Sequence, residues 1–328
     1  MPLNDNLIDV TPGHVDQAYA RISPFIRRTP LCSSPLLNRR IGCDLQVKAE
    51  VLQYSGSFKF RGASNRLRAL RVEQPECNHV VAYSSGNHGQ AIAAVASQLG
   101  LSATIIMPKD APKIKIDRTR AFGAEIVLYD RDRDNREAMG REIADKTKGC
   151  IAPPYDDPYV IAGQGTIGLE IVADMESGAD VVIIPAGGGG LSAGTGLTIK
   201  RAWPNCKIYV AEPEGFNDHH LSLQAGERRS IAKTIDSICD AIKTPIPGNM
   251  TFPINLKQLS GSLLVSDLDV LKAIKTGIEE FKLVIEPGGV VALAAALKYA
   301  DQFRGKKMVA IASGGNVDME IIGRALSA

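Results

Sequence analysis

Short apolar runs alternate with longer stretches of helical spacing along nearly the whole chain. Six runs of five residues stand out: His79–Tyr83, Ala103–Met107, Glu125–Tyr129, Val181–Pro185, Lys207–Ala211 and Met308–Ala312. Most are rich in Val and Ile, and continuous apolar runs of this length fit strands buried on both faces of a parallel sheet. Between them, Gln90–Leu99 is small and apolar throughout and meets a helix stop at Gly100. Asp134–Lys148 places Met139 and Ile143 at helical spacing, and Asp267–Lys282 reads as an amphipathic helix. Strand alternating with helix predicts an α/β architecture with right-handed crossovers.

The chain has 328 residues, enough for two domains. The stretch 71–150 holds three strand runs and their helices. It reads as a small substrate-side domain inserted into a larger one made of 1–70 and 151–328, with a ligand cleft between them. Composition narrows the function classes. Hydrophobic residues make up 45% and charged residues 23%, and the net charge is only +2. Such a surface gives no footprint for nucleic acid or an anionic membrane. The densest charge run, Arg131-Asp132-Arg133-Asp134, alternates in sign and reads as a solvated face. No apolar run is long enough for a membrane helix, and the N-terminus lacks the pattern of a signal peptide. Cys32, Cys43, Cys77, Cys150, Cys206 and Cys239 form no CxxC pair. Reduced thiols in a cytoplasmic protein are therefore expected, with neither a disulfide frame nor a zinc site.

The chemistry concentrates where strands end. Ser84-Ser85-Gly86-Asn87-His88-Gly89 follows the run His79–Tyr83. Gly187-Gly188-Gly189-Gly190-Leu191 follows Val181–Pro185, and Ser313-Gly314-Gly315-Asn316 follows Met308–Ala312. Glycine turns between strand and helix present backbone N–H groups that bind anions. Four consecutive glycines fit a phosphate or carboxylate cradle, where the backbone must come close to the anion. A dinucleotide fingerprint is the rival reading, since Glu212 lies about where its acid would be. Lys59 sits between Phe58 and Phe60, and an amine in apolar surroundings loses its proton easily enough to form a Schiff base. The same pattern also fits a lysine stem covering an apolar surface patch.

Taken together, Ser-Gly-Ser-Phe-Lys-Phe-Arg-Gly around Lys59, Ser-Ser-Gly-Asn-His-Gly-Gln-Ala, Gly-Gly-Gly-Gly-Leu and Ser-Gly-Gly-Asn stand in the order and spacing of fold-type II pyridoxal-5′-phosphate (PLP) enzymes. The chain resembles the serine racemase and serine/threonine dehydratase branch most closely, from about Ile22 to Leu326. Ala162-Gly163-Gln164-Gly165-Thr166 and Ile285-Glu286-Pro287 look like that branch too. The resemblance implies a two-domain, tryptophan synthase β-like α/β fold, with PLP in the cleft between parallel-sheet lobes.

It also implies roles. Lys59 would hold PLP as a Schiff base and move the Cα proton, with Phe58 beside the ring and Asn87 bonded to its 3′-oxygen. Gly187, Gly188, Gly189, Gly190 and Leu191 would bind the phosphate. Ser313 would face the pyridine nitrogen, and a neutral hydroxyl there favours prompt elimination over a long-lived carbanion. Ser84, Ser85 and His88 would surround the substrate carboxylate. Ser85 matches the second proton carrier of the racemases, where many bacterial threonine dehydratases have alanine. Arg136 and Thr244 would reach the distal end of the substrate, and arginine can hold a second carboxylate. Glu212, Phe216 and Asp218 match a divalent-cation site, with hard oxygen ligands suited to magnesium or calcium. His219 and His220 have no matching role.

Two departures bear on specificity. Ala241 replaces a glycine usual against the ring, and the segment 244–253, with three prolines, diverges. No regulatory domain is expected after Ala328. The implied function is dehydration and deamination of L-serine, L-threonine or 3-hydroxyaspartate to a 2-oxo acid and ammonia, with racemisation through Lys59 and Ser85 as the alternative. A homodimer or larger homo-oligomer is implied. A PLP carrier without catalysis and a nicotinamide-dependent oxidoreductase are the remaining rivals.

Overall fold

The computed structural model describes residues 9–84, 86–231 and 236–328. Among these described residues, ten strands form two sheets: β1 (Leu31–Ser33), β2 (Asp44–Ala49), β3 (His79–Tyr83), β4 (Ser102–Pro108), β5 (Glu125–Tyr129), β6 (Cys150–Ile151), β7 (Val181–Pro185), β8 (Lys207–Pro213), β9 (Gly261–Val265) and β10 (Lys307–Ala312). One sheet has the order β1-β2-β10-β7-β8-β9, the other β5-β4-β3-β6. All pairings are parallel except the edge pair β1–β2.

Strand alternation explains why the central runs are apolar throughout. In β7, Val181 and Ile183 enter one core while Val182 and Ile184 enter another on the opposite face. Met308 and Ala310 of β10 join the first core, Val309 and Ile311 the second. The smaller sheet behaves alike, with Val80 and Ile105 on one face and Val81 and Ile106 on the other. Both faces of each sheet are therefore covered, as parallel sheets require.

The helix Asn87–Leu99 starts three residues earlier than its apolar run and ends at Gly100, which is left-handed at φ 67°. The helix Arg136–Thr147 lies inside the expected span. The stretch 267–282 is an α-helix only over Asp267–Thr276; a π-helical turn, Gly277–Phe281, completes it before Lys282 turns left-handed at φ 60°. The helix Lys59–Glu73 runs across the expected boundary at 70/71 and packs on both Pro158–Asp174 and Asn87–Leu99. It thereby links the surroundings of the two sheets.

Cys77 and Cys150 correct the expectation of reduced thiols throughout: they are paired as a disulfide, 73 residues apart in sequence and 6.6 Å apart at Cα. The cause is tertiary. Cys77 leads into β3, Cys150 opens β6, and Val80 is aligned with Cys150 in that parallel pair. The other four cysteines are free. Among the described residues no helix is long and apolar enough to cross a membrane.

A buried ionic cluster fixes the start of the lysine-bearing helix. Arg61 donates from Nε and Nη2 to the two Glu50 oxygens, each at 2.8 Å, and from Nη1 and Nη2 to Glu170 at 2.7 and 2.8 Å. Lys48 reaches Glu170 at 2.7 Å. All four side chains are essentially inaccessible. Bidentate arginine pairs are geometrically demanding, so Arg61 sets the rotation of the helix whose first residue is Lys59.

Candidate active site

The C-terminal ends of β3, β7 and β10 open onto one cleft. Lys59 lines it, with its Nζ 2.6 Å from the Pro154 carbonyl and 5.1 Å from the centre of the Phe58 ring. Burial of the ammonium pushes its pKa down to about 8. The loop ahead of it is stitched to the Ser313 turn: Phe58 N–H donates to the Ser313 carbonyl at 3.0 Å, and Ser57 bridges Gly314. Lys59 and Ser313 thus keep a fixed relation across the cleft floor.

The glycine run forms the opposite wall. The Gly188 carbonyl accepts from Thr251 Oγ1 at 2.6 Å and from Gly248 N–H at 3.2 Å, and the Gly189 carbonyl accepts from Asn255 Nδ2 at 3.2 Å. Because a trans peptide points its N–H away from its C=O, those bonds turn the following N–H groups towards the cleft. Gly189 adopts φ 87°, and the helix Gly190–Ala202 starts directly behind it. A Cβ at Gly188 would run into the Tyr155 ring. A buried amine that gives up its proton more readily than an ordinary lysine and a nest of helix-start N–H groups in one cleft match the two ends of PLP, a carbonyl carbon and a phosphate dianion.

The remaining expected residues divide into three groups. Ser84, Asn87, His88, Arg136, Leu191, Ala241, Thr244 and Ser313 all line the cleft with the glycines. His88 is buried, and burial together with the Lys59 charge pushes its pKa down to about 3. It therefore stays neutral and donates from Nε2 to the Ala152 carbonyl at 2.9 Å. Ser85 lies outside the described residues.

The expected cation ligands lie elsewhere. Glu212 and Asp218 are brought together, joined by His219, with one ligand atom of each within 4.8 Å of the others. Glu212 accepts from the backbone N–H of His219 and His220 at 2.8 and 2.9 Å and from Ser262 at 2.5 Å. Both Asp218 oxygens and His219 Nδ1 are buried without a hydrogen-bond partner among the described residues. Burial pushes the Glu212 carboxyl up to about 7 and raises Asp218 as well. Phe216 is half-buried in the connecting loop.

Some residues of the site carried no sequence signal. Tyr155 packs its ring on the glycine turn, and Pro154 receives Lys59. Asp156 holds this loop by accepting from the backbone N–H groups of Asn249 and Met250, both at 2.8 Å. Glu286, noted only as part of a motif, is buried in the cleft wall and accepts from Asn87 Nδ2.

A family model described as pyridoxal-phosphate dependent enzyme matches residues 22–314. The chain belongs to that family. Among the relatives of this PLP-dependent enzyme, serine racemase of Schizosaccharomyces pombe is 39% identical over 318 residues, covering 97% of this chain and 98% of the relative. L-threo-3-hydroxyaspartate ammonia-lyase of Saccharomyces cerevisiae is 40% identical over 314 residues, covering 96% and 95%. The solved structure of maize serine racemase superimposes with a TM-score of 0.90 at 33% identity and 98% coverage of both chains. Ammonia release from a hydroxy amino acid and racemisation are the two activities put forward from the sequence motifs, and PLP is the expected cofactor.

Proposed function

We propose that this PLP-dependent enzyme removes water from a β-hydroxy amino acid, releasing a 2-oxo acid and ammonia, and prefers a substrate with a second carboxylate, of the 3-hydroxyaspartate class. Arg136 carries this reading. Its guanidinium lines the cleft 5.6 Å above the Tyr83 ring, and no carboxylate among the described residues forms an ion pair with it. The neighbouring Arg131 is already held by Asp110 at 2.8 and 3.0 Å. An arginine in a cleft wall with an open fork fits a planar anionic group.

Bound PLP supplies an electron sink for the pair left at Cα when its proton is removed. Lys59 would hold the cofactor's carbonyl carbon, and its Nζ is the group that would take the Cα proton of the substrate. The N–H groups after Gly188 and Gly189 hold the phosphate. Ser84 and neutral His88 orient the substrate carboxylate. The electron pair left at Cα would expel the β-hydroxyl, which leaves as water with the proton that Nζ took from Cα, and the released enamine adds water and hydrolyses to the 2-oxo acid and ammonia. Racemisation requires a second proton carrier opposite Lys59, for which Ser85 is the candidate.

A substrate panel with 2-oxo acid detection and chiral analysis tests the reading. In R136Q, kcat/KM for 3-hydroxyaspartate should fall about 10- to 100-fold, the scale of a charge-assisted bidentate contact, while that for L-serine changes little. Equal losses on both substrates overturn the preference. D-isomer formation that disappears in S85A, with elimination intact, would favour the racemase alternative.

The same reading places a divalent cation, magnesium or calcium, at Glu212 and Asp218 with the Phe216 carbonyl. The Asp218 oxygens, buried without a hydrogen bond among the described residues and with His219 Nδ1 3.6 Å away, support it. It also has the stretch 71–150 act as a substrate-side domain, and the enzyme work in the cytoplasm as a homodimer or larger homo-oligomer.

A further inference from the structure

Both ends of the Asn87 amide are held from one helix, Lys113–Ala121, which lies between β4 and β5. Asn87 Nδ2 donates to Glu286 Oε1. The other Glu286 oxygen, Oε2, is 2.9 Å from Lys115 Nζ. Asn87 Oδ1 accepts from Asn316 Nδ2 at 2.8 Å, and Asn316 Oδ1 accepts from Arg118 Nη1 at 2.5 Å. Lys115 and Arg118 are three residues apart, so one helical turn reaches the amide by two routes. Nδ2 has two hydrogens, and the bond to Glu286 leaves the second free to point into the cleft.

Lys115 also bonds Asp240 at 2.6 Å and is 1% exposed. It places one ammonium between two carboxylates, and although burial opposes charge, Glu286 and Asp240 outweigh it and hold the lysine above its ordinary pKa. Its stem passes under the start of the helix Asn87–Leu99, where a Cβ at Gly86 would collide with Lys115 Cδ. Asp240 and Glu286 belong to segments after β8 and β9, so the ion pairs join the surroundings of the two sheets.

We propose that the helix Lys113–Ala121 is a clamp on the cofactor's ring oxygen: Lys115, through Glu286, and Arg118, through Asn316, are positioning residues that fix the Asn87 amide. The inference rests on the reading that Asn87 faces the 3′-oxygen of bound PLP. Removing the Lys115 charge leaves the buried Glu286 beside the half-buried Asp240 with no cation between them. Glu286 then takes up a proton, and its acceptance from Asn87 weakens.

The test uses the holoenzyme and reads the visible absorption of the lysine-bound cofactor, PLP dissociation and melting temperature. K115M should shift the absorption maximum and weaken PLP retention about tenfold, the worth of one charge-assisted hydrogen bond. The double variant K115M/E286Q removes both charges and keeps an acceptor for Asn87, so its spectrum should return towards wild type. R118A, at an exposed residue, should shift the band less and in the same direction, and it serves where K115M does not fold. A purely structural Lys115 would lower the melting temperature in K115M and leave spectrum and PLP retention unchanged, which overturns the proposal. Two controls separate this from failure of the underlying reading: K59A must lose the lysine-bound band, and N87A must alter it. If either control behaves as wild type, the assignment of Lys59 or Asn87 is wrong and the clamp falls with it.

Discussion

A lysine condenses with a carbonyl only as a neutral amine, and burial brings Lys59 to about 8 from an ordinary 10.5. Between those values the unfolded chain carries the proton and the folded one does not. Folding therefore bears the cost of this buried charge below pH 8, and that cost is relieved as pH rises from 8 to 10.5. For the apoenzyme, the rate of PLP uptake should climb between pH 7 and 9 with a midpoint near 8, measured by growth of the visible band. A pH-independent rate over that range would place the amine in a different environment. Lys59, Asn87, Ser313 and the four glycines were legible because the motifs name them in order. Tyr155, Lys115 and Asp240 were not, because what they touch lies far away in sequence and the fold alone makes them neighbours.

At the scale of elements, the glycine turn works because its carbonyls are tied to Thr251, Gly248 and Asn255. G188A puts a methyl group against the Tyr155 ring. Overpacking of this kind costs about 1–3 kcal/mol, and here the turn or Tyr155 must move. PLP retention should drop about 10- to 100-fold on dialysis for the same free-energy cost. The apolar runs anticipated β3, β5 and β7 to the residue, because in each three or more consecutive apolar residues supply both faces of the strand. They missed β2, whose sequence Asp-Leu-Gln-Val-Lys-Ala interleaves polar residues. Lys48 is buried there because Glu170, 122 residues later, pairs with it and the Thr29 carbonyl accepts from its ammonium. They also missed β9, which opens on Gly-Ser, and the short strands β1 and β6, whose two or three residues carry no period.

For the whole molecule, the proposed cation site at Glu212 and Asp218, two buried carboxylates beside His219, carries a thermodynamic test. Magnesium or calcium at about 100 times its dissociation constant should stabilise the folded enzyme by about 3 kcal/mol, read as a rise in melting temperature. D218N should abolish that rise, and an unchanged wild-type melting curve would argue against a cation site. Alkylation of the denatured chain without reductant should modify four cysteines, and six after reduction, checked by intact mass. R61L leaves Glu50 and Glu170 buried without their shared partner and should cost about 3–5 kcal/mol in a urea titration, more than most single substitutions. That penalty has a historical side. Replacing Lys48, Glu50, Arg61 and Glu170 together by well-packed apolar residues could leave the protein as stable as before. Every first step along that route, however, strands a charge in the interior. Descendants of this chain would then inherit the four residues together because no single mutation leads out of the arrangement, whether or not the arrangement is the best available foundation for Lys59.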